Sequence, residues 1–312
     1  MQPSVPQAVQ WTETALPVSS HAADLVLRQC QPVHAAALAQ IVVAPAMGVP
    51  QSYYQPFARW LAEQGFGVTT FDYRGQGLSL KGPLRDAKAD VLDWVQDCQQ
   101  IAVQIKQQFA DQALIWIGHS VGSQLPGLAS IPLPIDGLLS VGSGSGYWRD
   151  NAAPTRRVVR LFWWGVAPVL TALLGCFPGR KLGMVGDLPA GVLWQWRRWC
   201  LHPDYAIGVE GEWAADAYAA ARYPLHALSF EDDEMMSLAS TQSLVGWYSN
   251  APSQLERVPA RLSPTGRIGH MGYFRAEMSE LLWRPLLPLL EQWRQSDRSP
   301  GKPLFGLFES PA

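Results

Sequence analysis

The chain has 312 residues with 24 Lys and Arg against 26 Asp and Glu, a near-balance that excludes the dense positive charge by which a protein tracks a nucleic-acid backbone. With 48% hydrophobic and only 16% charged residues it can bury a sizeable core, which excludes a disordered polypeptide, and its length suits one large domain with an insertion or two small ones. Tryptophan is in excess: 14 residues, of which the seven from Trp148 to Trp213 are crowded into one stretch.

Apolar runs alternate with helix-period segments along most of the chain, which predicts an α/β fold with a mostly parallel sheet. Residues 39–44 read as a buried strand that ends in a loop over 45–50, and Ser52 is placed to cap a helix whose Phe57, Trp60 and Leu61 share a face. A strand over 66–71 runs into a loop over 72–79. The clearest helix spans 86–109, where Val91, Trp94, Cys98, Ile101 and Ile105 recur at helical spacing. A strand over 113–117 leads at once into Gly118-His119-Ser120-Val121-Gly122 and a short helical stretch, and a further strand over 135–141 opens into the Gly-rich residues 142–146. The alternation then breaks: residues 147–223 are Trp-rich and helix-compatible with no clean strand. It resumes with a strand over 225–230, a helix near 238–247, a strand near 255–262 and a last helix over 278–293; from 296 to 312 the chain is rich in Pro, Gly and Ser and reads as an irregular tail. One core domain, 1–146 with 224–295, is therefore expected to carry one helical insertion, 147–223.

The pentapeptide 118–122 is the chain's only G-x-S-x-G, and it stands between a strand and a helix, as a nucleophile elbow requires. Gly at both flanks removes side chains that would clash in so tight a turn. A serine hydroxyl is a weak nucleophile until a base takes its proton. Of the six histidines, His21 and His34 precede the predicted sheet, His119 points away as the serine's neighbour, and His202 and His226 lie in or beside the insertion. His270, in a loop between the last strand and the last helix, falls at the sheet edge where Ser120 lies, and is the candidate base. A carboxylate must fix its tautomer, and the strand over 225–230 ends in Glu231-Asp232-Asp233-Glu234; Asp233 is the candidate, with Asp232 next. For the oxyanion, backbone N–H donors are expected from Val121 and from the loop after the first predicted strand, at Met47 or else Ala46.

In that order these pieces resemble an α/β-hydrolase, in the branch of monoacylglycerol-lipase-like and serine-aminopeptidase-like proteins. The matching residues are Val42 to Gly48 with Tyr53 and Tyr54, Phe71 to Ser79, Gly118 to Gly122, Phe230 to Asp233 and Gly269 to Phe274. The resemblance implies Ser120 as nucleophile, Asp233 as acid, His270 as base, and a structural role for Asp72, Arg74 and Gly75. The sequence departs from the family where Pro45-Ala46 replaces the usual His-Gly before the oxyanion donor, and in the insertion, which is similar to that of an uncharacterised bacterial group.

The activity expected is hydrolysis of a carboxylic ester through an acyl-serine; a thioesterase, an amidase, an acyltransferase or a non-catalytic protein binding an apolar ligand would use the same scaffold. The partner expected is a small acyl substrate, and the sequence sets no oligomeric state. Residues 147–223 are expected to form a lid over Ser120, where Trp148, Trp163, Trp164 and Trp196 either line an apolar substrate pocket or build the lid's own core, and where Arg197 and Arg198 are solvent-facing or meet a substrate carboxylate. Residues 161–177 carry no charge, but Gly165, Pro168 and Gly175 interrupt them, so a surface-lying piece with passing lipid contact is expected rather than a membrane span. Cys30, Cys98, Cys176 and Cys200 form no CxxC pair and no zinc-like spacing with His, so no metal, no cofactor and a reducing, cytoplasmic compartment are expected. The N-terminus lacks the pattern of a signal peptide.

Overall fold

The computed structural model describes residues 7–18, 24–184, 186–295 and 299–305. His21 lies outside these residues, as does most of the predicted tail. An eight-stranded sheet runs through the molecule. In chain order its strands are β1 (Val9–Leu16), β2 (Leu25–Pro32), β3 (Gln40–Ala44), β4 (Gly67–Phe71), β5 (Leu114–His119) and β6 (Gly137–Val141), joined later by β9 (Leu225–Phe230) and β10 (Ser253–Val258). Their spatial order is β1-β2-β4-β3-β5-β6-β9-β10; β1–β2 and β2–β4 pair antiparallel and every other neighbour is parallel.

The parallel strands are buried end to end because both faces are covered, and alternation divides their side chains between two cores. Val42, Ala44, Trp116 and Leu138 face α2 (Val91–Gln108), whereas Ile41, Val43, Ile117 and Leu139 face α1 (Gln55–Glu63) and the chain's last helix. Helix α2 begins later than its periodicity suggests, at a capping box in which Asp90 and Asp93 each accept the other's backbone N–H.

The sheet is two strands longer than the sequence suggests. β1 is an edge strand whose side chains are mostly exposed, so it lacks the apolar run that betrays a buried strand, and its register comes from β2. The histidine His34 therefore follows two strands instead of preceding the sheet. The predicted terminal helix is also corrected: Pro285 and Pro288 withhold the N–H groups a continuous helix needs, and the backbone passes through a π-turn (Ser279–Trp283) and a 3-10 turn before a regular helix over Leu287–Arg294.

Between β6 and β9 the chain is mainly helical. After the short α3 (Val121–Gln124), which precedes β6, come α4 (Ala153–Leu161) and α5 (Ala167–Leu174), fused through a π-turn at Phe162–Val166 into one helix. Then follow α6 (Ala190–Leu201), α7 (Tyr205–Glu210) and α8 (Glu212–Ala220), while α9 (Leu238–Trp247) lies between β9 and β10. Among the described residues of this segment the extended pieces are a two-residue ladder, β7 (Cys176–Phe177) with β8 (Leu188–Pro189). The segment shares the core on the α2 face, and Gln195 of α6 accepts hydrogen bonds from the N–H groups of Val91 (2.7 Å) and Leu92 (3.3 Å) at the start of α2.

The loop after β4 braces this junction. Asp72 accepts from the Gln51 backbone at 2.8 Å, the Gln51 side chain at 3.0 Å and the Leu78 N–H at 2.9 Å. Arg74 spans Asp97 (Nε–Oδ1 2.7 Å) and Asp93 (Nη1–Oδ1 3.1 Å), and Gly75 turns with φ +76° against Pro189. Asp97 is wholly buried; burial pushes its carboxyl up to about 6 despite the hydrogen bonds and charge of Arg74. Substituting Arg74 by Ala strands that carboxyl and is expected to cost about 3–5 kcal/mol in urea unfolding, most of it recovered by the apolar pair Arg74→Met with Asp97→Leu.

Candidate active site

Ser120 occupies the turn between β5 and α3 with φ +52° and ψ −119°, one of two non-glycine residues with positive φ among those described. A conformation of this kind costs about 1–3 kcal/mol and survives only where its surroundings enforce it. Here the enforcement is close backbone packing. A Cβ on Gly118 would stand 2.5 Å from the carbonyl of Gly122, and one on Gly122 would stand 2.4 Å from the carbonyl oxygen of Ala44 in β3. Four hydrogen bonds fix the result: Ser120 N–H to Val141 O (3.0 Å), Ser123 N–H to Ser120 O (3.0 Å), Ser123 Oγ to Gly118 O (2.6 Å) and Ser143 Oγ to Ser120 O (2.7 Å).

The acidic run after β9 is divided by task. Asp233 Oδ2 lies 2.9 Å from His270 Nδ1, while its Oδ1 accepts the N–H groups of Met235 and Met236, each at 2.8 Å. Asp232 instead accepts from the Ile268 N–H (2.9 Å), and Glu234 from the His270 N–H (3.0 Å). Two acids thus shape the histidine loop and one meets the imidazole; that one is Asp233, not Asp232. Burial works to raise the Asp233 carboxyl, but the charge and hydrogen bond of His270 and the two N–H donors hold it below its ordinary range. Burial works to lower the His270 imidazole, and the charge and hydrogen bond of Asp233 overcome it and raise it. The Ser120 side chain makes no hydrogen bond to His270 among the described residues; the imidazole is set beside the elbow through the residue before the serine.

That residue, His119, does more than its position suggests. Its Nδ1 lies 2.8 Å from Tyr54 Oη and its Nε2 lies 3.0 Å from the carbonyl oxygen of His270. Tyr54 Oη in turn accepts the Ala46 N–H at 2.8 Å. With Nε2–H donating to the carbonyl, Nδ1 is free to accept the tyrosine proton, so one buried chain joins the loop after β3 to the histidine loop. Burial, together with the nearby His270, pushes His119 down to about 3, so it stays neutral at working pH. Neither Tyr54 nor His119 stood out as functional in the sequence; the available signal was a polar side chain ending a strand that is otherwise buried and apolar.

The same bond bears on the oxyanion donors. The Ala46 N–H is taken by Tyr54, so of the two candidates in this loop Ala46 already has a partner. Val121 is the first residue of α3, where a backbone N–H has no helical carbonyl to bond. Gly48 (φ +70°) meets Gly186 backbone to backbone, so the middle of the inserted segment rests on this loop.

The four candidate tryptophans of the insertion separate. Trp163 is buried in the core with its ring edge-on to Trp196, which is half-buried. Trp148, beneath Arg149 and Arg160, meets the exposed Trp164 edge to face at 5.6 Å. Arg197 is engaged by the Trp163 carbonyl at 2.7 Å. Among the described residues no group of three His, Cys, Asp or Glu side chains is arranged to hold a metal ion.

A family model described as serine aminopeptidase, S33 matches residues 35–181. No curated protein sequence matches the chain. Among solved structures, a soluble variant of monoglyceride lipase from Saccharomyces cerevisiae in complex with a substrate analogue superposes with a TM-score of 0.62 at 14% identity, covering 96% of this chain and 97% of that one. An esterase of Pyrococcus furiosus gives 0.58 at 12% identity, covering 91% of each chain. A 2-hydroxy-6-oxo-6-phenylhexa-2,4-dienoate hydrolase from Rhodococcus gives 0.55 at 14% identity, covering 92% and 100%. At these identities the structures attest a shared fold.

The opposed shifts of Asp233 and His270 are measurable without a substrate. An NMR titration should place the His270 imidazole above the usual value of about 6.5, and Asp233→Asn, which removes the raising charge, should bring it down; an unchanged midpoint would show that Asp233 does not control the ring.

Proposed function

We propose that this chain, which has the α/β-hydrolase fold, belongs to the monoacylglycerol-lipase-like and serine-aminopeptidase-like branch and cleaves a carboxylic ester through an acyl-serine intermediate. The observation that carries this reading is the Asp233–His270 pair at 2.9 Å beside a serine held at positive φ in a strand-to-helix turn. Ser120 Oγ attacks the ester carbonyl carbon while His270 Nε2 takes its proton, and Asp233 holds the Nδ1–H and stabilises the imidazolium. The tetrahedral oxyanion is met by the N–H groups of Val121 and Met47. Collapse breaks the bond to the alcohol, which leaves with the proton from His270. Water, deprotonated by the same imidazole, then attacks the acyl-serine and releases the acid and Ser120.

A lipophilic substrate group is supported by the apolar composition of residues 147–223, which rest on the oxyanion loop at Gly186 and on the acid loop at Ala152 and Thr155. That placement supports a reading of the segment as the roof of the site. Trp148 and Trp196 are the tryptophans of the original four that combine partial burial with contact to the core, and they are the ones assigned to the substrate. All four cysteines are free, and three are buried, which supports a reducing, cytoplasmic setting.

A fluorophosphonate probe should label the wild type and fail on Ser120→Ala; a folded wild type that does not react would overturn the enzyme reading. His270→Ala should lower turnover of p-nitrophenyl esters by about 10³-fold or more. Across an acyl series the activity should persist to octanoyl, and a peak at acetyl with none at octanoyl would exclude the lipophilic group.

A further inference from the structure

Helix α3 is only four residues long, too short to hold itself by its own hydrogen bonds. The chain after it runs into a 3-10 turn over Leu125–Leu128, and Pro126 has no N–H to return to the Gly122 carbonyl. Side chains from elsewhere stand in. Gly122 O accepts from Trp116 Nε1 (3.0 Å), Ser123 O from Tyr248 Oη (2.8 Å) and Gln124 O from Tyr218 Oη (2.9 Å). Tyr218 belongs to the inserted segment, and its ring is seated on Gly127, where a Cβ would stand 2.1 Å from it.

The side chain of Gln124 is tied as closely as its backbone. It is buried, its Nε2–H donates to Gly144 O in the loop after β6 (2.8 Å), and its Oε1 accepts from Tyr205 Oη (3.1 Å). A carbonyl takes only a donor, so Gly144 fixes which way the amide faces and Tyr205 meets the end that remains. Tyr205, also in the inserted segment, is the second of the two non-glycine residues with positive φ among those described (+50°), a conformation that bulky side chains avoid. Its ring is wholly buried and presses on Gly146, where a Cβ would stand 2.5 Å away. Burial raises the phenols of Tyr205, Tyr218 and Tyr248 well above their ordinary value, so each donates as a neutral hydroxyl. The two strained residues thus belong to the two ends of one short helix: Ser120 precedes α3, and Tyr205 grips its last side chain.

We propose that Tyr205, acting through Gln124, is a positioning residue for ester cleavage: it fixes the direction of α3 and thereby of the Val121 N–H that meets the oxyanion. The proposal rests on the ester-hydrolase reading for its chemistry and on these hydrogen bonds for its geometry. An oxyanion donor works only within a narrow range of distance, so a small tilt of α3 weakens the bond that forms as charge develops. Binding of the uncharged ester hardly uses that bond and is left alone. The same amide joins α3 to the loop after β6, where Ser143 Oγ holds the Ser120 carbonyl at 2.7 Å. One side chain therefore braces both sides of the nucleophile turn, and through Tyr205 the inserted segment is built into that turn.

Turnover of p-nitrophenyl butyrate by Tyr205→Phe, Gln124→Met and the double variant tests it, with melting curves to confirm folding. Tyr205→Phe should lower kcat about tenfold and change KM by less than about twofold, the mark of an interaction made in the transition state. Gln124→Met should do at least as much, and adding Tyr205→Phe to it should cost nothing more. Hydrogen exchange of residues 118–128 should quicken in Tyr205→Phe. An unchanged kcat in Tyr205→Phe overturns the proposal. So does a raised KM with kcat kept, or losses that multiply in the double variant, since Tyr205 would then touch the substrate or act apart from Gln124. Should Tyr205→Phe not fold, Gln124→Met carries the test from the other end of the bond, and an unchanged kcat there overturns the proposal equally. If the wild type cleaves no ester, exchange decides: quickened exchange supports the grip of Tyr205 on α3 and defeats the hydrolase reading alone, and unchanged exchange overturns both.

Discussion

The backbone of β5 turns back on itself so tightly at Gly118 and Gly122 that nothing larger than hydrogen fits between it and the end of β3. Much else follows from that contact. It lifts Ser120 into a conformation that ordinary residues avoid, and it requires β3, β5 and β6 to be neighbours so that Val141 can take the serine's N–H. Parallel pairing then sends the loops after β3, β5, β6 and β9 to one edge of the sheet. The loop after β3, Ser120, Ser143 and the acidic loop after β9 meet there because the strands have no other way to run.

Around the elbow, polar groups are held by assigning each one a single partner. Four consecutive acids would repel one another if left equivalent; three are instead spent on the Ile268 N–H, the His270 imidazole and the His270 N–H. His119 works the other way. Because burial keeps it uncharged, it serves as a rigid bridge between Tyr54 and the carbonyl of His270, and it brings no competing charge to the His270 ring 5.2 Å away. The positions of the loop after β3 and of His270 are thereby linked through the residue adjoining Ser120.

The parallel strands, the elbow, the Asp233–His270 contact and the break in alternation at residue 147 were legible in the sequence, because each carries a local signal. Continuous apolar runs mark β3 to β6 and β9, paired glycines mark the turn, and the strand–acid–histidine order marks the pair. What escaped depends on tertiary context. An edge strand such as β1 has no apolar run to show, and Pro285 and Pro288 break an apolar period that otherwise reads as helix. The tryptophan excess was visible, but its division among core, half-buried and exposed sites was not, because composition does not say which side of a helix faces the protein. Trp163 and Trp164 are adjacent, and one is buried while the other faces water.

The hydrogen bond between His119 and His270 closes a separation of 151 residues. On a ribosome adding about 5–20 residues each second, the serine turn is made roughly eight to thirty seconds before His270. During that interval the growing chain holds Ser120 without His270 and an apolar helix with no finished sheet to rest on. The order of the segments thus separates Ser120 from His270 in time as well as in sequence, and leaves the apolar residues 153–174 without β9 and β10 until the sheet is complete.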